Sequence, residues 1–206
     1  LRLLPFRQYD EQDVINMFAL QNADVLDSTT GDGAGSNGVF VKITDGDFDQ
    51  DLITYSNNSY LGNTTQPFVG GDMYPTVQLE VGVAGSGEAP LGLTLNQTAK
   101  TDENGEKLIY NTTKKEELQS VLPGQSVPVA TKGVFTIGIN GLEASDNAAF
   151  TVGQGFEVAG VDGSIGPVAT ANGATSLGMV IGKGTRTSNG GLTDQFVGDY
   201  VVVKLG

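Results

Sequence analysis

The sequence predicts a mainly β protein made of one or two small β-barrel or β-sandwich modules, with an extended N-terminal arm and one short helix. Three observations carry this expectation. Apolar residues recur with period two in short runs, as where Val77, Leu79, Val81 and Val83 alternate with Gln78, Glu80 and Gly82. The 30 glycines, with abundant Asn and Thr, punctuate those runs with turn chemistry. Hydrophobic residues make up 38% and aromatics 7% of the 206 residues, which suits short strands better than a large compact enzyme. Length leaves open whether there is one large β-domain or two modules.

Residues 1–23 differ from the rest. Arg2 and Arg7, two of the three arginines, stand among Leu3, Leu4, Pro5 and Phe6, and an acidic cluster follows at Asp10, Glu11 and Asp13. Asp10 is placed to cap a short helix, whereas Val14, Ile15, Asn16 and Phe18 favour extended structure, and we read this stretch as extended. Cationic and apolar groups concentrated in an acidic chain suggest an anchoring arm. Arg2 and Arg7 would pair with carboxylates on a neighbouring subunit, while Leu3, Leu4, Phe6 and Phe18 would be buried against it.

The first β-module is expected over residues 24–112. Its Gly33, Gly35 and Gly38 match a dinucleotide-type glycine spacing, but a strand, Val39–Thr44, follows where a phosphate site needs a helix. No nucleotide is expected. Asp45, Asp47, Asp49 and Asp51 resemble a calcium loop, yet Gln50 stands where an EF-hand needs Gly and Ser56 where it needs Glu, so the stretch reads as a solvated acidic turn. Leu91, Leu93 and Leu95 form another alternating strand. Asp102-Glu103-Asn104-Gly105 marks a tight hairpin, with Lys107–Tyr110 returning.

A short connecting helix is expected over 113–123. Thr113 and Glu116 make a capping box, Leu118, Val121 and Leu122 share a face, and Pro123-Gly124 ends it. The second β-module then covers 124–206. It opens with a strand pair, Val127–Thr131 and Val134–Ile139, turning at Thr131-Lys132-Gly133, and Pro128 places the first strand at a sheet edge. Further strands are expected at Phe150–Val152, Phe156–Val161, Ile165–Ala169, Leu177–Ile181 and Asp199–Leu205. Two phrases recur between the halves: Gly38-Val39-Phe40 as Gly133-Val134-Phe135, and Leu91-Gly92-Leu93-Thr94-Leu95 as Leu177-Gly178-Met179-Val180-Ile181.

The missing residue types bound the chemistry. With no His and no Cys, the Ser-His and Cys-His nucleophile systems and the usual zinc sites cannot be assembled. Without Trp, a sugar-stacking cleft beside a carboxylate pair is poorly supplied. No catalytic, cofactor-binding or metal-binding residue is therefore expected, and the chain is read as a non-enzyme. Eleven basic against twenty-four acidic residues, a net charge of −13, argue against binding nucleic acid through its phosphates. No run is long and apolar enough to span a membrane as a helix, so the expectation is a soluble chain made in a host cytoplasm.

One phrase carries a resemblance. Gly124, Val127, Val129, Ala130 and Gly133-Val134-Phe135 together resemble a recurring phrase in the small decoration, or cement, proteins that coat the heads of tailed phages. Leu177-Gly178-Met179-Val180 and Val201–Leu205 look like late strands of that family, and Pro5-Phe6-Arg7 to Leu20 looks like the leading arm of marine-phage members, as found in cyanophages. The resemblance implies a structural virion protein on the outer surface of a capsid, bridging capsomers against the pressure of packaged DNA. Its implied partners are the major capsid protein and neighbouring copies of itself, and it implies no cofactor. A tail-associated or surface adhesin module, binding a host glycan or protein through its loops, is the alternative left open.

Overall fold

The computed structural model describes residues 2–20, 36–46, 79–99, 101–102, 104–122, 125–144, 146–168, 176–187 and 197–206. The fold is mainly β, sandwich-like rather than a closed barrel, with one α-helix among the described residues. Its strands are β1 (Leu3–Gln8), β2 (Val14–Ile15), β3 (Ala19–Leu20), β4 (Phe40–Asp45), β5 (Glu80–Val83), β6 (Gly92–Thr94) and β7 (Gln97–Thr98). The helix, α1 (Thr112–Glu117), precedes β8 (Ser120–Val121), β9 (Val129–Ala130), β10 (Gly133–Gly138), β11 (Gly155–Ala159), β12 (Ser164–Pro167), β13 (Gly178–Arg186) and β14 (Gly198–Leu205).

Two six-stranded sheets make the body. The first has the order β1-β10-β14-β13-β11-β12 and the second β2-β9-β6-β4-β5-β3, while β7 and β8 form a small parallel pair. Each large sheet curls until one isolated bridge reaches back across its open side. Leu142 meets Ile165 in the first, and Ala19 meets Ser126 in the second.

Burial follows strand alternation. Phe135, Ile137, Val180, Val201 and Val203 of the first sheet pack with Phe40, Leu93 and Ala130 of the second in one shared core. The opposite face of the second sheet lines another cluster, with Val39, Val41, Val81 and Val129 joined by Phe18 and Leu20. Both sheets therefore depend on residues 2–20. Leu3 enters the shared core, β1 edges the first sheet, and β2 and β3 edge the second on opposite sides.

Several local expectations change. The strands on either side of Lys132 do not pair with each other, because β9 lies in the second sheet and β10 in the first. The chain thus changes sheet after Ala130 rather than at residue 124. Nor is β9 an edge strand: Val129 is opposite Thr94 on one side and Ile15 on the other. Pro128 is tolerated because it precedes the ladder and only its carbonyl is used, accepting from the Leu95 amide at 2.9 Å.

The helix begins one residue earlier than its sequence cue. Asn111 is the N-cap, its side-chain oxygen accepting from the Lys114 amide at 3.1 Å. It ends at Glu117, because Gln119 takes φ 50° and turns the chain into β8, which removes Val121 from the helix face. Asp10 caps only a single 3-10 turn, Glu11–Asp13, before the chain extends into β2. The turn at 102–105 forms, with Gly105 at φ 82° and the Asp102 carboxylate accepting from the Asn104 and Glu106 amides at 2.9 and 2.8 Å. Only Lys107 bridges back, to Thr101, and residues 108–110 are turn rather than strand. Phe150–Val152 is likewise not a strand.

The recurring phrases have a local counterpart, though not a topological one. Gly38 and Gly133 both adopt positive φ, 78° and 136°, and each delivers a buried phenylalanine, Phe40 and Phe135, into the shared core. Both glycines also lie against the N-terminal segment, Gly38 on Leu3 and Gly133 on Gln8 and Tyr9. Yet β4 and β6 are neighbours in one sheet, while β14 separates β10 from β13 in the other. The acidic run beyond Gly46, and Gly33 and Gly35, lie outside the described residues.

Candidate interaction surface

The six residues expected to contact a neighbour divide into two groups. Arg2, Leu3, Leu4 and Phe18 are buried within their own chain, at 0, 0, 3 and 3% exposure. They are therefore not available as an arm reaching to another subunit, and that expectation is corrected for these four. Phe6, at 66% exposure, and Arg7 remain at the surface.

Arg2 shows why the segment folds inward. Its Nη1 donates to the Asp162 carbonyl at 2.7 Å and its Nη2 to the Asp162 carboxylate at 3.1 Å. Asp162 sits in the turn between β11 and β12, which also touches the second sheet. The Phe40 amide donates to the Gly163 carbonyl at 3.1 Å and the Ser86 amide to the Gly160 carbonyl at 2.8 Å. One turn thus holds the N-terminus and both sheets together. Burial alone would raise the Asp162 pKa, but hydrogen bonding from Ser164 and the charge of Arg2 outweigh it and hold the carboxyl below its ordinary value.

Phe6 is unusual in two ways. It takes φ 86°, which a bulky L-residue adopts only under strain, and its ring stays largely in solvent. The cause lies in the edge strand. Leu3 is opposite Ile137 and Arg7 opposite Phe135, so β1 carries extra residues in a bulge. The Thr136 hydroxyl, donating to the Phe6 carbonyl at 3.1 Å, ties the bulge down.

The bulge borders a broad surface that the sequence reading did not single out. On the first sheet, residues facing away from the core alternate with Phe135, Ile137, Val180, Val201 and Val203. Register aligns Gln8, Val134, Lys204 and Met179 in one row, then Thr136, Val202 and Gly182, then Gly138, Tyr200 and Gly184, of which Thr136 and Gly138 are buried. Met179 and Ile181 are 42 and 43% exposed. Arg186, one step beyond Gly184 on the same face, stacks its guanidinium 5.3 Å from the Tyr200 ring centroid. A signal was present in Leu177–Ile181, a run apolar on both faces, where an antiparallel strand open to water on one face alternates apolar with polar.

Carboxylates are absent from the outward positions of β1, β10, β14 and β13, whereas Glu157 of the neighbouring β11, between buried Phe156 and Val158, turns to this side. Asp199, the only acidic residue in those four strands, lies on the other side by alternation with Val201. It accepts from the Thr185 hydroxyl at 2.6 Å and the Asn147 amide at 3.1 Å, which lowers its pKa. Lys183, on that same side, donates to the Asn147 and Phe150 carbonyls at 3.1 and 2.7 Å and fixes the adjoining loop.

Elsewhere the charged groups serve the fold. Glu88 accepts from Lys42 and, at 2.7 Å, from the Gly85 amide, which lowers its pKa. Glu80 is opposite Asp45, and burial, then that neighbouring charge, raises its pKa. Among the described residues no group of three or more acidic side chains is placed to hold a metal ion. No helix among them is long and apolar enough to cross a membrane. Comparison with protein-family models, curated proteins and solved structures gives no match.

Proposed function

We propose that this chain is a structural virion protein, a decoration or cement protein on the outer surface of a tailed-phage capsid. The observation that carries the reading is a wide sheet face, apolar and cationic, on an acidic chain that has no histidine or cysteine. Such a face suits adhesion to other protein rather than chemistry. The Val127–Phe135 phrase and the closing strand Val201–Leu205, which resemble those of decoration proteins, direct the reading to a phage head. Its partners are then the major capsid protein and neighbouring copies of itself, many moderate contacts adding up to a tight coat. Purified protein should saturate undecorated, expanded shells at a fixed ratio per capsomer, measured by densitometry against the capsid band. Binding to tails or host cells alone would replace this reading with the adhesin one.

A further inference from the structure

We propose that the outward face of β1, β10, β14 and β13 binds an acidic surface of a second copy of this chain, head to tail. The inference deepens the coat reading by naming the surface between copies, and it is tested without any capsid.

Charge decides the occupant. The chain carries twenty-four acidic residues against eleven basic ones, so two copies repel each other over most of their surfaces. The four strands β1, β10, β14 and β13 differ: their outward positions include Lys204 and Arg186 and no carboxylate, around exposed Met179 and Ile181, and Glu157 of β11 stands at their border. Two such faces brought together would set like charges opposite each other. Against an acidic surface of another copy, Lys204 and Arg186 instead gain partners while the apolar centre is covered. Asp10, Glu11 and Asp13, in the turn that leads out of β1, form a dense acidic run among the described residues and are the carboxylates we assign to Lys204 and Arg186 of the other copy. A contact between unlike surfaces closes into a ring when its rotation permits.

Size sets the strength. The eight residues of β14 extend roughly 26 Å and four strands measure about 19 Å across, so two partners bury at most about 1,000 Å² together, since Thr136 and Gly138 are already covered. That lies below the usual range of stable specific interfaces, among weak and transient contacts, so the association expected is weak. Phe6 borders the patch on a strained backbone that leaves it 66% exposed in its own chain, as expected of a side chain held out for a partner.

Sedimentation velocity of the purified full chain tests the proposal. The wild type should associate with concentration, and added salt should weaken the association. The double variant Met179→Glu, Ile181→Glu should raise the dissociation constant at least about tenfold, whereas Ile43→Glu, exposed on the second sheet, should leave it unchanged. Should the double variant fail to fold, Lys204→Glu supplies the same reading, and zero-length carbodiimide coupling should join Lys204 to a carboxylate of another copy. A wild type that stays monomeric to about 100 μM overturns the proposal. So does association that salt strengthens and that Lys204→Glu leaves untouched, which is the signature of an apolar contact between like faces.

Discussion

Arg2 and Asp162 are 160 positions apart, and their ion pair closes the fold. Arg2→Met keeps the buried stem and removes the charge-assisted hydrogen bonds, so stability should fall by about 1.5 to 3 kcal/mol in urea titrations. Asp162 adds a pH dependence. Its pKa is lower folded than unfolded, so its contribution is complete above the unfolded value and disappears as pH falls through the folded one. Asp162→Asn should flatten the acid limb of the stability curve below about pH 4. Glu80 has the opposite sign, because a raised folded pKa makes stability fall as pH rises from the ordinary value to the raised one. Glu80→Gln should therefore raise the melting temperature slightly at neutral pH, and an unchanged or lowered value would count against the burial and Asp45 repulsion described above. Two glycines are sterically required. A Cβ at Gly178 would land on the Lys204 carbonyl oxygen and one at Gly92 on that of Ala130.

The N-terminal segment is a structural element rather than a tether. Deleting residues 1–9 removes Leu3 and Leu4 from buried sites and uncovers the β10 edge, at a cost on the order of 5 kcal/mol, comparable with the stability of a small domain. The deletion should abolish or sharply lower the cooperative melt, whereas a near-normal transition would restore the free-arm reading. Helix α1 gives a finer test. Asn111→Ala should cost about 1 kcal/mol and Thr113→Ala only a few tenths, since the cap is Asn111. The capping box at Thr113 and Glu116 was a reasonable cue, but Asn, Thr and Thr stand in a row, and choosing among them depended on where the preceding turn left the chain.

Since both sheets contribute to one shared core, neither expected module contains all of its own packing. Phe135 and Ile137 share a cluster with Phe40 and Leu93, and β9, numbered with the later residues, is an interior strand of the other sheet. Residues 124–206 expressed alone should accordingly show no cooperative thermal transition, while the whole chain should unfold as one unit by circular dichroism and by near-ultraviolet probes. Two independent transitions in the whole chain would instead support separate modules. The net charge of −13 keeps the molecule soluble but destabilises the compact state through self-repulsion, so moderate salt should raise the melting temperature.

Local chemistry was sufficient to read β class, the strands near Phe40, Val81, Leu93, Phe135, Phe156, Ile165 and Val201, and the turn at Gly105, because period-two alternation and positive-φ glycines are properties of a few adjacent residues. The absence of the usual nucleophile and zinc chemistry was equally plain from composition. Pairing was not legible: alternation tells which residues share a face but not which strand lies alongside, and that choice rests on contacts between residues far apart in the chain. So the same cationic and apolar content that made residues 1–23 look like an external arm became an internal one once Arg2 met the Asp162 turn and Leu3 met Ile137. The candidate surface was hidden for the same reason. Met179 lies more than twenty residues before Val202 and Lys204, and only the antiparallel register of β13 and β14 makes them one face.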